Sequence, residues 1–388
     1  MKPTTLSNSA LGLQPSVFSQ LIPKIKALGE RCIPLHIGDT YRLPPKACLE
    51  ALKAAANTGL ESTRYFKYTH PFGRAELLQA IAEKLRRDNG MSVTTDQIQV
   101  TCGATQALCT VAQAVLDPGD EVIFLCPHWP LIRGIVSSVG GVPVDADFGA
   151  AVADPEAVLA PLLNDRTKAV YFANPNNPDG QLLSRERCRE LYDFCATRDL
   201  LIWSDEAYEH IVFDGNEKFS MGALDNDSSK PRVLSVFTFS KSFGMAGMRV
   251  GYVVGPKAEM EYLRRVSTHQ IYDLSDLTQE AALAALNQPH EIYEEYLEEQ
   301  RTEYQRARDL LHTAFPHCPL SPGGAYLYVP FESEEKAWES MLAWLEEGVS
   351  SAPGAAFGGL HAHCLRLCYT AVPYKRLERA VEILKSFA

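Results

Sequence analysis

No stretch of the chain approaches the roughly 20 consecutive apolar residues that a bilayer-spanning helix needs. Its opening, MKPTTLSNSALGLQPS, lacks the apolar core of a secretory signal. A cytoplasmic protein with no membrane partner is therefore expected. Excess positive charge is missing too: 37 Lys and Arg stand against 48 Asp and Glu, a formal net charge of -11. A duplex nucleic-acid surface needs clustered basic side chains, so no nucleic-acid partner is expected. The ten cysteines fall singly, without a CxxC pair or a zinc-like Cys/His spacing. That fits reduced thiols and predicts no metal. The nearest thing to a ligand cluster, His361-Ala362-His363-Cys364, reads as a structural or loop segment. Internal repeats and low-complexity tracts are absent as well.

What is present is ordinary globular material, 46% hydrophobic and 22% charged over 388 residues. That length suggests two domains, or one large α/β domain with a smaller one attached. Helical spacing of apolar residues runs from Arg74 to Arg87 and stops at Asn89-Gly90. A short strand at Ile98–Thr101 leads into a second helix over Ala104–Leu116, closed by Asp117-Pro118-Gly119-Asp120. Strand-like runs follow at Glu121–Leu125, Ala169–Ala173, Leu200–Trp203, Val233–Phe239 and Arg249–Val254, with a helix at Arg185–Arg198 between two of them. Nearly all-apolar strands alternating with helices indicate βαβ units and a largely parallel sheet buried on both faces. Beyond Leu277 the pattern changes to a helix at Gln279–Leu286 and a long charged one at Glu291–His312, expected to link two lobes. Shorter strands at Ala325–Val329 and Cys364–Tyr369 and a helix from Tyr374 complete the chain.

The segment most telling for chemistry is Thr238-Phe239-Ser240-Lys241-Ser242-Phe243-Gly244-Met245-Ala246-Gly247-Met248-Arg249. A lysine at the end of a buried strand has a depressed pKa, which suits a nucleophilic amine. A second apolar strand delivers Asp205 and, three residues on, Tyr208, at the strand end where open α/β sheets bind ligands. Asn174-Pro175-Asn176-Asn177-Pro178-Asp179-Gly180 reads alone as a turn. Thr101-Cys102-Gly103-Ala104-Thr105 is a strand-to-helix junction whose amides suit an anion. Trp129 follows the Glu121–Leu125 strand, and Arg366 lies on an apolar strand where an unpaired charge is costly.

Together these segments resemble the class I and II aminotransferases, the pyridoxal 5'-phosphate (PLP) enzymes of fold type I in the aspartate aminotransferase superfamily. The resemblance runs from about Pro34 to the C-terminus, with Asp205 lying 36 residues before Lys241. It implies an α/β fold: a large domain with a mostly parallel seven-stranded sheet sandwiched by helices, plus a smaller α+β domain. The expected division is an N-terminal arm and part of the small domain at 1–45, the large PLP-binding domain at 46–280 and the small domain at 281–388. By the same resemblance Lys241 holds PLP as a Schiff base, and Asp205 pairs with the pyridine nitrogen. Tyr208 and Asn177 would bond the phenolic oxygen, and Trp129 would stack on the ring. Gly103, Ala104, Thr105, Thr238, Ser240 and Arg249 would bind the phosphate. Arg366 would grip the substrate α-carboxylate, with Gly38, Asn177 and Trp129 beside it. Tyr68, in Tyr68-Thr69-His70-Pro71-Phe72-Gly73, would reach the phosphate of a neighbouring subunit, which implies a homodimer.

The resemblance implies a ping-pong exchange of an amino group between an L-amino acid and a 2-oxo acid. Asp179 stands where relatives often carry Thr, a change expected to matter little in a turn. Thr105 replaces a lysine that some aspartate-specific relatives use, which leans away from dicarboxylates. The alternative outcomes are those of lyases, synthases and cyclases of the same fold, for example on an arginine-like amino acid. His36, Thr40, Tyr41, His128 and Tyr272 are the side chains that would redirect the reaction. A ligand-sensing module of a transcription regulator would carry a basic helix-turn-helix, and none precedes Pro34.

Overall fold

The computed structural model describes residues 6–13, 21–58 and 62–387. Its twelve strands in chain order are β1 (Ile33–Pro34), β2 (Ile98–Thr101), β3 (Glu121–Cys126), β4 (Val142–Asp147), β5 (Thr167–Ala173), β6 (Leu201–Asp205), β7 (Val233–Thr238), β8 (Gly251–Val254), β9 (Tyr326–Pro330), β10 (Val349–Ser350), β11 (Ala352–Pro353) and β12 (Cys364–Cys368). Seven of them form one sheet in the order β2-β8-β7-β6-β5-β3-β4. Only β8 runs against its neighbours, pairing antiparallel with β2 and β7. The mostly parallel seven-stranded sheet expected from the sequence is therefore present.

Physical reasons for this arrangement lie in the strands themselves. Every residue of β2, β7 and β8 is buried, as a sheet covered by helices on both faces requires. Phe124, Tyr171, Trp203 and Val236 pack on one side; Ile123, Val170, Phe172 and Ile202 pack on the other. Helix Ala75–Asn89 covers a third cluster with Leu77, Leu78, Ile81 and Leu85. It ends on Gly90, whose left-handed φ of 64° lets its amide close back on the Leu85 carbonyl.

The remaining strands lie outside this sheet. Strands β11, β12 and β9 make an antiparallel sheet, and β1 pairs with β10 in parallel. They share a core with Trp344, Leu345, Leu377 and Leu384. The long helix His290–His312 joins the two bodies: Tyr293 and Leu297 belong to the core beneath the large sheet, Tyr304, Ala307 and Leu311 to the core beside β9. At about 1.5 Å per residue it is long enough to do so. Among the described residues no helix is long and apolar enough to cross a membrane.

Candidate active site

Five parallel strands end on the same side of the large sheet, and each delivers side chains there. Thr101 at the end of β2 is followed by Gly103, Cys126 of β3 by Trp129, and Ala173 of β5 by Asn177. Asp205 closes β6, and Thr238 of β7 leads to Lys241. Strand β12 brings Arg366 from the smaller body. A cleft of about 1010 Å³ is lined by Lys241, Asp205, Tyr208, Asn177, Trp129, Ala104, Thr105, Thr238, Ser240, Arg249, Arg366 and Gly38. Twelve of the fourteen side chains picked out in the sequence thus meet in one place.

Lys241 lies in a short helix, Phe239–Ser242, capped by the Thr238 hydroxyl. Its Nζ donates to the Gly38 carbonyl at 2.5 Å and lies 3.8 Å from the Asp39 carboxylate. Burial lowers its pKa, which favours the uncharged amine. Asp205 accepts from the Tyr171 hydroxyl and the Ala207 amide, both at 3.2 Å. Burial outweighs those bonds and raises its pKa to about 6.

Arg366 is buried at 5% exposure. Its Nη1 donates to Asn177 Oδ1 at 2.9 Å and its Nη2 to the His36 carbonyl at 2.8 Å. The guanidinium carbon stands 4.2 Å from the centre of the Tyr326 ring and 4.7 Å from that of Phe357. Nε has no hydrogen-bond partner, and the partners of the two outer nitrogens are an amide oxygen and a carbonyl, neither of them charged. A desolvated cation left this way is completed by an anion from outside.

The second anion position is built from glycines. Gly103 starts helix Gly103–Val115 with φ +74°, and a β-carbon there would meet Arg249 Nη2 at 2.6 Å. Gly251 admits β8 against the same turn, since its β-carbon would lie 3.0 Å from the Ala104 nitrogen. Arg249 is itself left-handed, at φ 55°, and donates to the Ala246 and Cys102 carbonyls. The Thr238 and Ser240 hydroxyls, 2.8 Å apart, line the same cleft as Arg249. Helix amides, two hydroxyls and a guanidinium around a small hollow fit a phosphate monoester.

Tyr68 is 82% exposed and packs edge-on against Tyr272, so it does not line the cleft of its own chain. Of the five side chains named as able to redirect the reaction, His36 alone lines this cleft. Tyr41 is turned to Glu303, and His128 is buried behind Trp129, bonded to its carbonyl. Asp179 is bonded within its own turn. It accepts from Asn176 Nδ2 at 2.8 Å and from both the amide and the side chain of Gln181, fixing the turn that carries Asn177. Sequence reasoning missed Tyr326, whose hydroxyl bonds that of Tyr208 and which sits against Gly38. It also missed Tyr171, the partner of Asp205. Both act through contacts that leave no local spacing.

A fold-type-I sheet with a desolvated lysine and two arginine-lined anion positions defines a PLP enzyme that binds a carboxylate substrate. The chain belongs to the class I and II aminotransferases, whose family model matches residues 30–384. It is 37% identical over 345 residues to the aspartate/prephenate aminotransferase of Thermus thermophilus, covering 86% of each chain. It is 30% identical to aromatic-amino-acid aminotransferase 2 of Thermococcus litoralis, covering 97% of this chain and 96% of that one. The solved aspartate aminotransferase from Thermus thermophilus with maleate superposes with a TM-score of 0.88 over 99% of both chains, at 32% identity. The chain is accordingly a PLP-dependent aminotransferase, and these relatives give no support to the lyase, synthase or cyclase outcome.

Proposed function

We propose that this aminotransferase works with Lys241 as the residue that carries the cofactor and moves the proton. The observation that carries the reading is the meeting of a desolvated Lys241 with a buried Arg366, bonded only to neutral oxygens, on one cleft. PLP, when bound, supplies an electron sink for the bond broken at the substrate Cα. Asp205 holds the proton on the ring nitrogen, and its bond from Tyr171 fixes it for that task. Tyr208 and Asn177 donate to the phenolic oxygen. Arg366 occupies Asn177 Oδ1, which leaves the amide NH₂ of Asn177 as the donor. The Gly103, Ala104 and Thr105 amides, Thr238, Ser240 and Arg249 take the phosphate, and Trp129 flanks the ring.

Arg366 grips the α-carboxylate of the incoming amino acid and so orients Cα toward Lys241. Burial lowers the pKa of Lys241 and so favours the amine form, which would take up the α-proton at Nζ. A 2-oxo acid leaves, and a second one enters on the same Arg366 for the reverse half. L-amino acids and 2-oxo acids are the partners. Tyr68, exposed at 82% two residues after Phe66, exposed at 79%, supports a homodimer in which it completes the neighbouring cleft. The free cysteines support a reducing, cytoplasmic setting.

The test is a single-turnover experiment on the PLP-loaded enzyme. Adding an amino acid should replace the absorbance of the lysine-bound cofactor by that of pyridoxamine phosphate. Lys241→Ala should show neither the starting band nor turnover. Turnover near wild type in that variant would remove Lys241 from the role.

A further inference from the structure

Once the phosphate, ring and α-carboxylate are assigned, the side chains left on the cleft wall are mostly apolar: Leu13, Ile37, Leu131 and Pro143. Among them stands one permanent cation, Arg133, with its side chain 41% exposed. A guanidinium there would ordinarily be the anchor for a second carboxylate on the substrate. It is already paired. Arg133 Nη2 donates to Oδ1 of Asp145, on the neighbouring strand β4, and the same oxygen lies 3.6 Å from His128 Nε2. Burial pushes the Asp145 carboxyl up, but His128 and Arg133 together hold it below the usual carboxylate range, so it stays ionised. His36, also lining the cleft, is held down to about 4 by burial and then by Arg366, so it carries no charge at neutral pH. Thr105 adds none.

We infer that this site prefers amino acids with an uncharged, apolar side chain over aspartate, and that the Arg133–Asp145 pair is what neutralises the wall. The inference rests on the roles proposed for Lys241 and Arg366 and adds the substrate class. A second carboxylate entering this wall would lose its water without gaining an unpaired cation, and would face Asp145 across Arg133. An apolar side chain meets Leu13, Ile37 and Leu131 at no such cost.

The experiment measures kcat/KM for phenylalanine, leucine and aspartate with the PLP-loaded enzyme, alongside single-turnover discharge of the cofactor absorbance. Wild type should favour phenylalanine or leucine over aspartate by at least about tenfold. Asp145→Asn frees Arg133 and should raise aspartate relative to phenylalanine by about tenfold. Adding Arg133→Met to that variant should abolish the gain. Arg133→Met alone leaves Asp145 uncompensated and should lower the aspartate-to-phenylalanine ratio further. A wild-type preference for aspartate overturns the inference. So does an unchanged or lowered aspartate-to-phenylalanine ratio in Asp145→Asn, because the pair would then not be what neutralises the wall. Discharge by aspartate in preference to the others leaves the Lys241 reading standing, whereas no discharge by any amino acid overturns both.

Discussion

A β-carbon on Gly103 would lie 2.6 Å from Nη2 of Arg249, so the arginine occupies the space that any other residue at 103 would claim. Gly103 is also left-handed, at φ +74°, a conformation costing a non-glycine residue about 1 to 3 kcal/mol. Relief would come by moving Arg249 away or by reshaping the turn whose amides face the phosphate. Gly103→Ala should therefore weaken PLP binding by about tenfold or more, as read by titrating the apoenzyme with cofactor. An unchanged affinity would mean that the phosphate does not sit in this hollow.

Arg366 offers two outward nitrogens in a plane, both already steered by Asn177 and the His36 carbonyl. Lysine would keep the charge but not the fork. Arg366→Lys should cut kcat/KM by about tenfold to a hundredfold for every amino acid alike, the equivalent of one charged hydrogen bond. Steady-state kinetics on several donors checks this. A loss confined to one side-chain class would instead place Arg366 at the side chain.

Asp205 has a folded-state pKa of about 6 against an ordinary 3.8, and burial is the main cause. Between those values the folded apoenzyme binds a proton that the unfolded chain has released, so its stability falls as pH rises. By neutral pH that loss is complete, on the order of 3 kcal/mol. Asp205→Asn, of the same size, should make the apoenzyme more resistant to urea at pH 7 by a few kcal/mol, on the order of that shift. The difference should vanish below about pH 4, where both side chains are neutral. The same variant should lose most activity when loaded with PLP, because nothing then holds the pyridinium proton. If Asp205→Asn were the less stable apoenzyme at pH 7, the carboxylate would be stabilising by itself and the reading of its burial would fall.

How far the sequence reaches is visible in which residues it located. Lys241, Asp205, Asn177 and the Gly103 turn each follow an apolar strand directly, and strand ends on one side of a parallel sheet must converge. Their convergence was therefore legible without coordinates. Arg249 shows the limit: its apolar neighbours predict a strand from that residue, but the strand begins at Gly251 because Arg249 turns back toward Gly103 in the left-handed region. Tyr326 meets Tyr208 from 118 residues away, and Arg133 finds Asp145 across a strand boundary. Such pairs depend on which elements the topology makes neighbours, and no spacing announces them.

The same limit conceals the support beneath Asp205 and Tyr208. Glu209 follows Tyr208 directly and is buried at 5% exposure, as is Lys84 at 2% on the apolar face of helix Ala75–Asn89. Lys84 Nζ donates to both Glu209 oxygens at 2.5 Å and to Asn89 Oδ1 at 2.9 Å, while Asn89 Nδ2 bonds Glu209 and Ser220, each at 2.7 Å. Burial pushes the Glu209 carboxyl up, but Lys84 and then Lys218 hold it below the usual range, so it remains an anion in the core. Removing the lysine charge alone strands that anion. Lys84→Met should cost about 3 to 5 kcal/mol of unfolding free energy, measured by urea denaturation of the apoenzyme. Lys84→Met combined with Glu209→Gln removes both charges and should recover more than half of the loss. A single-variant cost below about 1 kcal/mol would show that water reaches the pair, and that the Asp205–Tyr208 turn is held by its apolar neighbours instead.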